Sequence, residues 1–276
     1  MKNKKLKSTL LSFFFPLLFS PFANAQTPKG PDLPSPAPPP GRVALGVSPS
    51  IMDMACTPGQ SITIPYEVTN GTEVPFHFTV EAVDVVVQDG KRTYVPAGIT
   101  EGGIAATAKG SPVEFDVAPG QHGESSVTFT MPFGSPQRAA MVYFRGKPPA
   151  PVEKNQPSLQ ISLGALITCK VSDQNSFAAG VFQYDPQSEA ANVSISYELT
   201  NTGAEPVLPK GTMALLNSSG KLVGKAQFQV RRLLPGERDV FKTSSPAVLP
   251  PGRYRVVSVF EYGGVSTNGS GEVVVP

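Results

Sequence analysis

Two histidines, two cysteines and a scatter of carboxylates are the only residues in this 276-residue chain whose types suggest chemistry. His77 falls inside the run PFHFTVEAVDVVV and reads as a packed or rim residue; His122, in PGQHGES, reads as a solvated turn residue. Neither is accompanied by HExxH, CxxC or any paired metal-ligand spacing. Asp84, Glu101 and Asp116 are far enough apart to read as surface carboxylates and not as a glycosidase pair. A Ser-His-Asp arrangement is assembled in space and stays open at this level. Phosphate binding would need a glycine-rich strand-to-helix junction, and the PG and NG pairs here are turn formers instead. The expectation is a protein that is not an enzyme and has no cofactor and no metal. With no tryptophan, it also lacks the aromatic platform best suited to sugars.

The two cysteines depend on the compartment. Lys2, Lys4, Lys5 and Lys7 precede the apolar TLLSFFFPLLFSPF and the small-residue ANA at 23–25, the three parts of a secretory signal peptide over residues 1–25. Its apolar core is too short to span a bilayer, and no other stretch is long enough, so no membrane span is expected. Gln26 follows, where a lipoprotein would need cysteine. The chain is expected to be exported, to the periplasm, with secretion or the cell surface as alternatives. Removing four lysines turns the formal charge from +2 to −2, which gives nucleic acid or anionic lipid no basic stripe to bind. In an oxidising compartment Cys56 and Cys169 can form a bridge, provided the first and last strands of one sandwich are neighbours; two separately buried thiols are the alternative.

The elements that must position these residues are strands. After a proline-rich linker over residues 26–42, with seven prolines in TPKGPDLPSPAPPPG, the texture becomes uniformly β. Short runs such as SITIPYEVTN, SSVTFTMP and AAMVYFRG lie between Gly, Pro and Asn punctuation, and no long segment keeps a 3.6-residue apolar period. Such strands pair their apolar faces as sandwiches. VTNGTEVPF at 68–76 is echoed by LTNTGAEPV at 199–207, and VAPGQHGESSVTFTMP by RLLPGERDVFKTSSP. The Asn-to-PG interval is longer in the first copy, so that copy is expected to carry an extra strand or loop. In both, Asn70-Gly71 and Asn201-Thr202-Gly203 are expected to form tight turns at positive φ. The fold class is therefore all-β, with two immunoglobulin-like sandwiches in tandem over residues 43–172 and 173–276.

One strand stands apart. SLQISLGALITCKV, Ser158 to Val171, has an apolar residue at every odd position, a two-residue period that marks one greasy face. Fully extended it would span roughly 46 Å at ~3.3 Å per residue, more than twice an ordinary strand. About half of it is expected to overhang its domain, with Gly164 as a place for a bulge or kink.

VSPSIMDMACTPGQSITIPYEVTN, FDVAPGQHGESSVTF, and AAMVYFRGKPP followed by LQISLGALITCKV resemble the N-terminal domain of periplasmic pilus chaperones of the PapD type. The second domain resembles a generic bacterial surface-protein immunoglobulin-like module. The resemblance implies a protein partner, a pilin-like subunit or another cell-envelope protein, held along the last strand of domain one by Leu159, Ile161 and Leu163. It also implies an anchor for the partner's terminal carboxylate. Where that family has an arginine and a lysine, this chain has Ser50 and Thr168, and Lys170 lies two residues on. The alternative function is a structural or adhesive surface protein.

Overall fold

The computed structural model describes residues 45–149, 160–184, 193–228, 230–245 and 249–275. The signal peptide, the proline-rich linker and Leu159 lie outside the described residues. Among the described residues ten strands build the first sandwich: β1 (Leu45–Ser48), β2 (Ile51–Ala55), β3 (Ser61–Asn70), β4 (Phe76–Gln88), β5 (Lys91–Pro96), β6 (Lys109–Ser111), β7 (Glu114–Val117), β8 (Gln121–Thr130), β9 (Ala139–Lys147) and β10 (Ile161–Lys170). Seven build the second: β11 (Phe177–Tyr184), β12 (Val193–Asn201), β13 (Lys210–Leu216), β14 (Leu222–Phe228), β15 (Arg238–Ser245), β16 (Gly252–Tyr262) and β17 (Val265–Val275). Among the described residues the only helical piece is a single 3-10 turn, Ala105–Thr107.

In the first sandwich, the order β1-β3-β8-β6 faces β2-β10-β9-β4-β5, with β7 also on β4. The chain changes sheets at Pro49. β1 runs antiparallel to β3 in one sheet, and β2 runs parallel to β10 in the other. Alternation along β3, β8 and β9 sends Ile64, Tyr66, Phe129, Val142 and Phe144 inward, where they meet Phe78 and Ile167 in one core. The second sandwich pairs β11-β12-β15 with β14-β13-β16-β17. Its core is organised around Tyr197, whose ring stacks at 4.3 Å from Phe182 and 4.9 Å from Phe260, centroid to centroid.

The PG motifs form turns with glycine at positive φ, as expected, whereas the asparagine motifs have a mechanism other than the one expected. Gly71 and Gly203 do not sit at positive φ. Instead the asparagine side chains, both fully buried, tie two turns together. Asn70 Nδ2 donates to the carbonyls of Val74 at 2.8 Å and Val117 at 3.0 Å, and its Oδ1 accepts from the amide of Thr72. Asn201 repeats the pattern with the carbonyls of Glu205 and Leu233 and the amide of Gly203. Positive φ belongs to the PG turns, at Gly120 (68°) and Gly236 (75°), whose amides bond back to the Asn70 and Asn201 carbonyls. Between Asn and PG the first copy contains β4 to β7, whereas the second contains only β13 and β14, which accounts for the longer first interval.

Five further positions differ from expectation. His122 lies within β8, opposite Thr69, and not in a turn. Asp84 is completely buried, because its side chain caps the 3-10 turn through the Ala105 amide. Gly164 makes no bulge, since β10 keeps an unbroken register with β9 from Ile161 to Thr168. Nor does β10 overhang at Ile161 and Leu163. Both pair across the sheet, with Gly146 and Phe144, and pack against the first core.

Candidate functional site

β10 has two edges, and they are treated differently. Along one it is paired with β9 from Ile161 to Thr168; along the other, β2 covers only Leu166 to Lys170. The lane stops where the chain changes sheets: the Leu166 amide donates to the Ser50 carbonyl at 2.9 Å, and β1 then continues in the opposite sheet. Backbone groups of every second residue point to the same edge of a strand. Ser162 and Gly164, in phase with Leu166, therefore turn their N–H and C=O groups to the uncovered edge. Among the described residues nothing pairs with them there. The open stretch, Ile161 to Ala165, measures roughly 16 Å at ~3.3 Å per residue.

The apolar face of the same stretch lines a seam between the sheets. Ile161 and Leu163 on β10, and Leu45 and Val47 on β1, are each half-buried against the first core. Ile161 has a defined seat. Gly146 directly opposite has no side chain, and the space where its Cβ would stand is taken by Ile161 and Phe78. On the outer face Ser162 and Gly164 are exposed beside Met141, Tyr143 and Arg145 of β9. Arg145 lies 4.9 Å over the Tyr143 ring, donates to Ser162 Oγ at 2.9 Å and pairs with Glu81. The Tyr94 ring stands 6.3 Å from that of Tyr143. Burial and the neighbouring Tyr94 raise the Tyr143 phenol above its ordinary pKa, so this patch stays uncharged apart from the Arg145–Glu81 pair.

Cys56 and Cys169 are joined in a disulfide with Cα atoms 5.4 Å apart, next to the bond from the Cys56 amide to the Lys170 carbonyl. It ties the chain leaving β2 to the end of β10, just below the open lane. The anchor region is arranged differently from a pair of cations. Ser50 is exposed and contributes only its carbonyl. Thr168 is buried, and its hydroxyl donates to Asp53, whose other carboxylate oxygen is paired with Arg232 of the second sandwich. Lys170 donates to Asp173 at 2.9 Å, which raises its pKa, and lies 6.0 Å from the Tyr262 ring. Each cation at this spot already has a carboxylate from its own chain.

Arg232 had no signal in the sequence, lying 179 positions from Asp53. The same is true of two other buried pairs between the sandwiches, Arg92 with Glu237 at 2.9 Å and Arg138 with Glu205 at 3.1 Å. Both glutamates sit in the turns that Asn201 ties together. The histidines remain peripheral: His77 Nδ1 is 2.8 Å from Asp116, and His122 Nδ1 is 3.1 Å from Thr69 Oγ1 and 3.3 Å from Glu67. Among the described residues no three His, Cys, Asp or Glu side chains are placed to hold a metal ion, and no helix is long and apolar enough to cross a membrane.

No family model matches the chain, and no curated protein matches it. Solved structures do. A class 5 fimbriae chaperone, CfaA, aligns with 84% of this chain and 100% of its own at 14% identity and a TM-score of 0.41. The E. coli chaperone DraB aligns with 85% of this chain and 98% of its own at 15% identity and a TM-score of 0.38. The CsuC–CsuE chaperone–tip adhesion subunit complex of Acinetobacter baumannii gives 84% and 98% coverage, 10% identity and a TM-score of 0.39. At these values the likeness brings no residue role with it.

Proposed function

We propose that this chain is an exported, pilus-chaperone-like binding protein that accepts a strand of a cell-envelope partner along the open edge of β10. The observation that carries this reading is the uncovered edge at Ile161 to Ala165, backed by the half-buried seam of Leu45, Val47, Ile161 and Leu163. Unpaired strand edges beside apolar surface are templates for pairing, and folded proteins cover or charge them unless a partner takes them. Neither remedy is present in the described part of this edge, where the residues are Ile, Ser, Leu, Gly and Ala. The partner strand supplies backbone groups to Ser162 and Gly164 and turns its alternate apolar side chains into the seam. A pilin-like subunit has the chemistry required, an extended apolar segment. The partner does not need a terminal carboxylate, because Arg232 and Lys170 are already paired.

The test places a photocrosslinking amino acid at Ser162, and as a control at Ser126 on the opposite sheet, in the protein expressed in its native envelope. A stoichiometric adduct with one envelope protein from position 162, absent from position 126 and lost when Ile161→Asp is added, supports the reading. Equal labelling from both positions, or labelling that survives Ile161→Asp, is the result expected of a spacer or adhesive protein and rejects it.

A further inference from the structure

The proposed strand-pairing site has one feature that selects a particular residue in the partner, and the inference rests on that reading. On the outer face, Gly164 stands opposite Tyr143 in the β10–β9 register and borders the open lane on its other side. With no side chain it screens nothing. The position its Cβ would take lies 3.1 Å from Met141 Sδ and 3.4 Å from Tyr143 Cε1. Any other residue here would put a wall between β9 and the lane; glycine leaves the thioether and the ring edge reachable across the bare backbone. The neighbouring outward position differs, because Ser162 carries a hydroxyl engaged by Arg145.

We propose that the strand received by β10 carries a large apolar, preferably aromatic, side chain at the outward position beside Gly164, where it covers the glycine and packs against Met141 and Tyr143. Three observations agree on this occupant. The surface offers a sulfur and an aromatic edge, which favour an aromatic partner. The lane requires a backbone partner, so the side chain arrives on a strand and not as a free ligand. Arg145 is neutralised by Glu81, so no charge complement is demanded at this position. A β-strand glycine covered by a cross-strand aromatic is a recognised stabilising arrangement.

The probes are fluorescein-labelled seven-residue peptides with blocked ends, valine at inward positions and threonine at outward ones, with one threonine at a time replaced by phenylalanine. Fluorescence polarisation against the full chain is expected to show one position at which phenylalanine binds about tenfold tighter than threonine, the size of an aromatic plus a sulfur contact. In Tyr143→Ala and in Gly164→Val the ratio of phenylalanine to threonine affinity should fall below about threefold, each ratio being taken within one variant so that any change in backbone pairing cancels. Tyr143→Ala leaves the β10 backbone untouched, and thermal melts of both variants control for folding. If the threonine peptide binds and no phenylalanine position gains, or the gain survives both variants, the glycine contact is wrong and strand pairing stands. If no peptide binds, the threonine one included, strand pairing itself fails.

Discussion

Asp84 is the residue whose environment departs furthest from its sequence context. Its side chain is fully buried, Oδ1 accepts the Ala105 amide at 2.9 Å, and Oδ2 has no partner among the described residues. Burial raises its pKa, so the folded chain holds the proton more tightly than the unfolded one. The resulting contribution is most favourable below the unfolded-state value, about 3.9, and is lost as pH rises toward the folded value. Asp84→Asn keeps the acceptor for Ala105 and removes the charge. It should raise stability at pH 7 relative to the parent, with the gain shrinking as pH falls toward 4, which urea unfolding at several pH values can measure. A gain that is constant across pH would mean that Asp84 is not the titrating group. Cys56 and Cys169 close a loop across 113 positions, and replacing both with serine should cost up to about 4.7 kcal/mol by loop entropy. Sequence marked the cysteines, because few residues of that type exist. It could not mark Asp84, since a carboxylate in a β run reads the same whether it faces solvent or a buried turn.

Among the elements, the two Asn-tied turns and β10 show what alternation and turn chemistry can and cannot convey. The repeats VTNGTEVPF and LTNTGAEPV were legible as equivalent turns, yet the working part is the buried amide side chain, which joins turns 47 and 32 positions apart. Such a partner is invisible to local pattern. Asn201→Asp keeps the size but replaces the donors to Glu205 and Leu233 with a repelling oxygen. It should therefore destabilise more than Asn201→Ala, which is itself expected to cost roughly 1–3 kcal/mol in thermal or urea unfolding. In β10 the two-residue period correctly gave the inward set, Ala165, Ile167 and Cys169, with Ile161 and Leu163 continuing it. Periodicity says nothing about which edge is covered. That is decided by Pro49, where the preceding strand leaves the sheet. Ile167→Asp, at a fully buried position, should unfold the first sandwich, whereas Ile161→Asp, half-exposed in the seam, should lower the melting temperature by a smaller amount.

At the scale of the molecule, the two-sandwich architecture was readable from strand density and the internal repeat, and the bond between the sandwiches was not. Leu234 packs on Val85, Ala139 and Leu166, and around it stand the Arg92–Glu237, Arg138–Glu205 and Arg232–Asp53 pairs. Arginine and glutamate in loops look like solvated surface until the fold brings them together; here both glutamates are 1% exposed. Removing Arg92 leaves Glu237 paired only with Arg231 of its own sandwich, and removing Arg138 leaves Glu205 with the Val171 amide and the Ser172 hydroxyl, so two ion pairs across the boundary are lost. The double variant Arg92→Ala, Arg138→Ala should accordingly convert one calorimetric transition into two, the sandwiches melting separately. Asp53, three residues past Ser50, and Leu166 at the foot of the lane both touch the second sandwich, through Arg232 and Leu234, so the same variant should weaken partner binding without touching the lane. The most direct measurement of the central claim is residue-resolved amide hydrogen exchange along β10, in the isolated protein and in its envelope complex. Slow exchange is expected at Leu166, which donates to Ser50, with fast exchange at Ser162 and Gly164 in isolation and protection of both on binding. Slow exchange at Ser162 and Gly164 in the isolated protein, or fast exchange that persists in the complex, would contradict that claim.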